Sequence, residues 1–192
     1  RQIVFLDRPL CQCCGLPFDA DPGIATLCAA CHAQQPAFAS ARAILRYDEQ
    51  SRAPILALKH ADRLDLVPGF ARWLGRAGRE LLEGCEVIVP VPLHPLRLWR
   101  RRYNQAAELG RRLGRDWQKP FQPLALVRTR PTPSQGTMPS RKARRRNMLG
   151  AFRVAPAHGA SIAGRKVLLV DDVMTTGATA EACARALLRA GA

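Results

Sequence analysis

Apolar positions along the chain change period several times, and each change marks an element. Phe70, Trp73, Leu74, Ala77 and Leu81 fall at helical spacing within 66–82, so one helical face meets a core there. A second helix is expected over 51–61. Leu109, Leu113 and Trp117 repeat every four residues on a third, and Asn104 is placed to cap its start. Two runs lose this period. Val87-Ile-Val-Pro-Val-Pro and the segment 166–170 are near-continuous apolar stretches, the pattern of strands buried on both faces. Shorter strands are expected at 42–47 and 124–128, and a last helix over Ala178–Arg189. Strands alternating with helices predict an α/β fold whose mainly parallel sheet is flanked by helices. The sequence stops at Gly191-Ala192, where a crossover normally returns to the sheet, so at least one further strand is expected beyond it.

Residues 1–40 stand outside this alternation. They hold turn formers at Gly15, Pro17, Pro22 and Gly23 and five of the seven cysteines. The expected organisation is a small module over 1–40 followed by an α/β domain over 41–192. A core that small needs a staple. Cys11-x-x-Cys14 and Cys28-x-x-Cys31, separated by 13 residues, supply four thiolates at the spacing of a closed structural zinc site. No export signal opens the sequence, and that context favours metal over disulfides. Cys13 is a spare thiol beside the set, and His32 a substitute ligand. Cys85 and Cys183 are expected in the core.

Charge adds a second theme. Residues 97–146 contain 15 Lys and Arg against two acids, Glu108 and Asp116, and so carry +13 of the net +15. Such a concentrated field attracts polyanions, either nucleic acid or a phosphate-rich small molecule. The region includes a loop over 129–139, with three prolines and one glycine, and a short basic helix expected over 140–149. Aromatic residues are only 6% of the chain, which leaves few obvious stacking platforms. No apolar run reaches the roughly 18–20 residues of a membrane span. A cytoplasmic protein without membrane insertion is expected, with leading residues before Arg1.

The most specific chemistry lies at 167–179, Val-Leu-Leu-Val-Asp-Asp-Val-Met-Thr-Thr-Gly-Ala-Thr. A buried strand delivers Asp171 and Asp172 at its carboxyl end, the place where open α/β sheets bind ligands. The turn Val173, Met174, Thr175, Thr176, Gly177, Ala178 and Thr179 combines hydroxyl donors with free N–H groups at a helix start, which suits a monophosphate. The acids would repel that phosphate, so their natural partners are the hydroxyls of a diol. Phosphate on one side and diol on the other describe a ribose 5-phosphate group.

This stretch resembles the phosphoribosyl-pyrophosphate (PRPP) signature of type I phosphoribosyltransferases. By that resemblance Asp171 and Asp172 hold the ribose hydroxyls, the catalytic position, residues 173–179 cradle the 5′-phosphate, and Mg²⁺ accompanies the pyrophosphate. The leaving pyrophosphate needs cations and N–H groups. Candidates lie in the loop after the first strand, with Leu93, His94 and Arg97, in the basic loop 128–146 with Gln135, and at Lys59 and Arg101.

The pieces taken in order resemble the ComF family of competence proteins. They are the paired cysteines, Leu58-Lys-His60, Val89-Pro-Val-Pro-Leu-His94, Arg101-Arg-Tyr-Asn-Gln105, Thr132-Pro-Ser-Gln135, Arg146-Asn147 through Ala151-Phe152, and the Asp-Asp loop. They cover nearly the whole chain. Where the family usually reads Arg-Gly-Phe-Asn-Gln, Arg102 adds a charge and removes a flexible glycine. The resemblance implies a phosphoribosyltransferase-like fold, zinc on the four cysteines and a link to DNA uptake. Two functions are therefore expected to compete. One is transfer of ribose 5-phosphate from PRPP to an acceptor. The other is a non-catalytic protein that senses PRPP or binds single-stranded DNA through 97–146.

Overall fold

The structure is a computed structural model that describes residues 3–23, 26–60, 63–131, 140 and 146–192. The motif Thr132-Pro-Ser-Gln135, with Gln135, lies outside the described residues, as does 141–145 of the basic segment 140–149, of which 146–148 form a helical turn.

In chain order the helices are α1 (Ala29–Ala33), α2 (Glu49–His60), α3 (Val67–Ala77), α4 (Arg79–Gly84), α5 (Pro95–Arg101), α6 (Gln105–Asp116), α7 (Gly159–Ile162) and α8 (Ala178–Arg189). The strands are β1 (Val87–Pro90), β2 (Leu126–Arg128), β3 (Phe152–Val154) and β4 (Val167–Val170). β1 and β4 pair in parallel from Val87↔Val167 to Pro90↔Val170. Phe121 adds one parallel bridge to Ile88. β2 and β3 form an antiparallel ribbon. The chain is thus α/β, with a small parallel sheet, helices and a cysteine cluster near the N-terminus. Among the described residues no helix is long and apolar enough to cross a membrane.

β1 is buried along its whole length, as its unbroken pattern requires, whereas β4 is half-buried at 167–169 and buried only at Val170. Val87 and Val89 share one core with Phe152, Ile162, Cys183 and Leu187, which brings α8 onto that face. Ile88 and Val170 join the other with Ile55, Leu58, Phe70, Cys85, Leu109 and Leu113, which stacks α2, α3 and α6 opposite. Cys85 and Cys183 are buried, as expected of core residues.

Three expectations are corrected and one strand is added. The helix expected over 66–82 breaks at Gly78 into α3 and α4, since glycine is a poor helix former. The strand at 42–47 reduces to a bridge between Phe5 and Leu45. The 92–97 segment is not all loop: Pro95 starts α5, a first-turn position that tolerates a missing N–H. Strand β3 was not foreseen, because three residues with an exposed centre carry too short a pattern. Asn104 does cap α6, its side chain accepting from Ala106 N at 3.1 Å.

Candidate functional site

Parallel pairing of β1 and β4 sets their carboxyl ends side by side, and Val91 N donates to Val170 O at 2.8 Å. The segment after β1 and the segment after β4 therefore share one rim. Asp171 turns back so that its Oδ1 accepts from Asp172 N at 2.9 Å. Burial, then the adjacent Asp172 charge, pushes the Asp171 carboxyl up to about 7. Lys59, in the last turn of α2, reaches Asp172 with Nζ–Oδ2 at 3.3 Å.

The end of α2 is itself braced. Tyr103 donates its hydroxyl to Leu58 O at 2.5 Å, and Gln105 Nε2 donates to Lys59 O at 3.3 Å. Two separate sequence fragments, 58–60 and 101–105, thus work together to hold Lys59 against the acids. Asn104 Nδ2 also donates to Val91 O at 3.0 Å, tying this brace to the strand exit.

Arg102 ends α5 at φ 64° and ψ −19°, a left-handed conformation that favours glycine. The sequence departure therefore falls on a position whose backbone still asks for glycine. Arg102→Gly is expected to raise stability by about 0.5–1 kcal/mol, relief of the left-handed strain being partly offset by the larger entropy of glycine in the unfolded chain. Chemical denaturation of both proteins checks this; an unchanged or lower midpoint contradicts it.

After the acids the chain turns through Val173, Met174, Thr175 and Thr176 to Gly177, at φ 75°, and enters α8 at Ala178 and Thr179. Among the described residues no side chain caps this helix, and Thr176 Oγ1 is buried with no hydrogen-bond partner there. Open N–H groups, a helix dipole and an unsatisfied hydroxyl at one turn make a receptor for an anion.

The neighbouring cations are unevenly placed. Burial, then the positive charge of Arg101, lowers the guanidinium pKa of Arg97. Arg128, at the end of β2, is lowered by burial and then by Arg97, against the pull of Asp171. Arg97, Arg128 and Asp171 therefore share one electrostatic neighbourhood. Sequence reasoning reached Arg128 only as the boundary of the 128–146 loop; its place at a strand end was the usable signal. Leu93 is half-buried beside the β1 exit. His94 is occupied locally, its Nδ1 accepting from Leu96 N at 3.3 Å as the cap of α5. Arg101 is half-buried at the end of that helix.

The four cysteines converge. The Sγ atoms of Cys11, Cys14, Cys28 and Cys31 all lie within 4.8 Å of one another. A tetrahedral ion with metal–sulfur bonds of about 2.3 Å spaces its ligands by roughly 3.8 Å, so the cluster is compatible with a structural zinc site. Cys28 N donates to Cys11 Sγ at 3.3 Å. Burial pushes the Cys14 thiol up to about 11 and also raises that of Cys31, while against burial the backbone hydrogen bonds of Cys14, Cys28 and Cys13 bring the Cys11 thiol down to about 6. Gly15 closes the first turn at φ 71°, and a Cβ there would sit 2.6 Å from Ala41 O. His32 is exposed and outside the cluster. Cys13 is buried beside it, its Sγ 3.8 Å from Phe38 O.

No family model matches the chain. The DNA utilization protein YhgH of Escherichia coli (strain K12) is 33% identical over 191 residues, covering 97% of this chain and 81% of that protein. Competence protein F of Haemophilus influenzae is 33% identical over 188 residues, covering 95% and 80%. An adenine phosphoribosyltransferase of Mycobacteroides abscessus is 57% identical, but over 37 residues, 19% of this chain and 21% of that protein. With a third of its residues shared along nearly its full length with competence protein F and YhgH, the chain belongs to the ComF family.

Proposed function

We propose that this chain binds PRPP at the joined ends of β1 and β4 and acts in DNA uptake. One observation carries the binding: two acids and an open threonine–glycine turn follow one strand, and the turn holds a buried hydroxyl, Thr176 Oγ1, without a partner among the described residues. The turn takes the 5′-phosphate. Asp171 and Asp172 accept from the ribose hydroxyls, with Lys59 fixing Asp172. Arg97 and Arg128 supply positive charge that would offset that of the pyrophosphate; the mutual influence of Arg97 and Arg128, and of Arg128 and Asp171, supports this. Mg²⁺ accompanies the pyrophosphate in this reading. The fold is read as type I phosphoribosyltransferase-like over 41–192, with a zinc module over 1–40 held by Cys11, Cys14, Cys28 and Cys31. The short match to an adenine phosphoribosyltransferase supports the fold reading, and the names of the competence and DNA-utilization relatives support the biological one.

Where transfer occurs, an acceptor lone pair forms a bond to C1 of the ribose, the C1–oxygen bond to pyrophosphate breaks, and the acceptor loses its proton to solvent or a nearby base. The deciding experiment is calorimetric titration of PRPP with Mg²⁺ into the wild type and into a chain carrying Asp171→Asn with Asp172→Asn. Heat is expected from the first and none from the second; equal heats refute the site. Pyrophosphate release across a panel of bases and amines then separates an enzyme from a sensor.

A second reading, contact with single-stranded DNA through 97–146, is favoured by the concentration of +13 in that segment.

A further inference from the structure

Within the basic segment, cations are not equally available. Glu108 pairs with Arg111 at 2.9 Å and Asp116 with Arg112 at 2.8 Å, both on α6. The only two acids of 97–146 are thus consumed by one helix. Arg100, Arg101 and Arg102 form no ion pair with any described carboxylate. Positive charge therefore stays concentrated on and just after α5.

The same helix carries the most exposed aromatic ring among the described residues. Trp99 is 84% exposed, while Leu96 and Leu98 are 65% and 42% exposed. Trp73, by contrast, packs into the core against Phe5 and Phe70, and Trp117 is partly buried beneath Arg79. Leu96 and Trp99 sit three residues apart, on one side of the helix. Arg100 and Arg102 follow the indole in sequence, one and three positions on, and are exposed. An apolar patch next in sequence to guanidinium groups that pair with no described carboxylate is a poor seat for a purely hydrophobic partner, which would have to strip water from those charges. A ligand with flat apolar faces and regularly spaced negative charge satisfies both features.

We propose that this face of α5 binds single-stranded nucleic acid, with Trp99 stacked on a base and Arg100 and Arg102 contacting the flanking phosphates. Base faces are hidden in a duplex and open in a single strand, so stacking selects the single strand. At about 1.5 Å per residue the helix is roughly 10 Å long, enough for a short contact in a longer track. α5 follows the β1 exit directly, so the strand would pass beside the rim that holds Asp171 and Asp172. This inference rests on the DNA reading above and not on PRPP binding.

The test is fluorescence anisotropy of a labelled oligo(dT) of about 20 nucleotides, titrated at several KCl concentrations. Trp99→Ala is expected to weaken binding about tenfold with an unchanged salt slope, and Trp99→Phe to restore most of the loss. Arg100→Ala with Arg102→Ala should lower the slope by roughly 1.4, about 0.7 for each phosphate left without its cation. The matched duplex should bind more weakly. The chain with Asp171→Asn and Asp172→Asn should bind the oligonucleotide as the wild type does, even where it has lost PRPP. A folded Trp99→Ala chain that binds like the wild type overturns the proposal. So does a Trp99→Ala effect confined to sedimentation, which would make the occupant a second copy of the chain. Loss of the oligonucleotide in the double aspartate variant would relocate the strand to the PRPP loop. Absence of binding by the wild type removes the DNA reading and leaves PRPP calorimetry untouched.

Discussion

On the proposed reading, stripping zinc from the four-cysteine cluster should weaken PRPP binding as well as loosen the N-terminal region. The coupling is physical and short. Phe38 packs among the cysteines, its carbonyl faces Cys13 Sγ at 3.8 Å, and Ala41 N donates to Cys13 O at 2.6 Å. The next residue back, Ala37, donates its N–H to Glu181 Oε2 at 2.6 Å, in the first turn of α8. The Phe38 ring stands 3.8 Å from where a Gly177 Cβ would sit. One segment therefore leans on the cysteines at one side and on the anion turn at the other. Metal binding in such small sites supplies on the order of 10 kcal/mol of folding free energy, and among the described residues the cysteine cluster packs only with Phe18, Leu27 and Phe38. Cys11→Ser with Cys28→Ser, or a strong chelator, should release zinc measurable with a chromophoric chelator. Residues 3–45 should become open to protease while α3 and α6 stay protected. PRPP affinity should fall about tenfold, since the turn at Gly177 loses its backing and must be ordered by the ligand. Phe38→Ala, which spares the cysteines, should reproduce part of that fall with zinc retained. Full PRPP affinity in a zinc-free, protease-sensitive chain would show that the two sites are independent.

The parts that the sequence reveals and hides follow from range. The acids, the threonine–glycine turn and the cysteine pairs are local motifs, so residue type and spacing carry them. β1, β4 and α8 were legible because continuous apolar runs and long amphipathic helices leave strong patterns. Partnerships between segments were not legible. Lys59 is a pyrophosphate candidate in the sequence, and its ion pair with Asp172, at 3.3 Å, is visible only in the fold. Nothing in the spacing of 58–60 and 101–105 says that Tyr103 and Gln105 cap the end of α2. His94 looked available as a loop residue, but a proline one position later turns it into a helix cap. The charge count was correct in total and silent about distribution, because only the fold shows that α6 neutralises part of its own arginines and α5 does not.

Asp171→Asn is expected to make the protein more stable above pH 7 while abolishing its tuned response to pH. In the unfolded chain a carboxyl titrates near 3.8. In the folded chain burial, followed by the charge of Asp172, raises Asp171 to about 7, against the opposing pull of the Asp172 N–H, Lys59 and Arg128. Between those values the folded state keeps a proton that the unfolded state has shed. The stabilisation is thus complete below about pH 4, declines as pH rises through the window, and is gone above about pH 7. Each pKa unit corresponds to about 1.4 kcal/mol, so the loss is on the order of a few kcal/mol. Asparagine keeps the Oδ1 that accepts from Asp172 N at 2.9 Å and never becomes charged. Melting temperatures from pH 4.5 to 8.5 should therefore fall more steeply for the wild type than for the variant, and the two curves should separate most at the alkaline end. Subtracting them cancels the histidines and other groups common to both. Ligand binding should run the other way. A diol donates to an ionised carboxylate, so wild-type PRPP affinity should rise through about pH 7, and the variant should bind weakly at every pH. A half-buried acid kept beside a second acid, at a cost in stability, is the expected state of a group held for a ligand rather than for the fold. A wild type that gains stability relative to the variant from pH 5 to 8 would reverse the sign and remove Asp171 from that role.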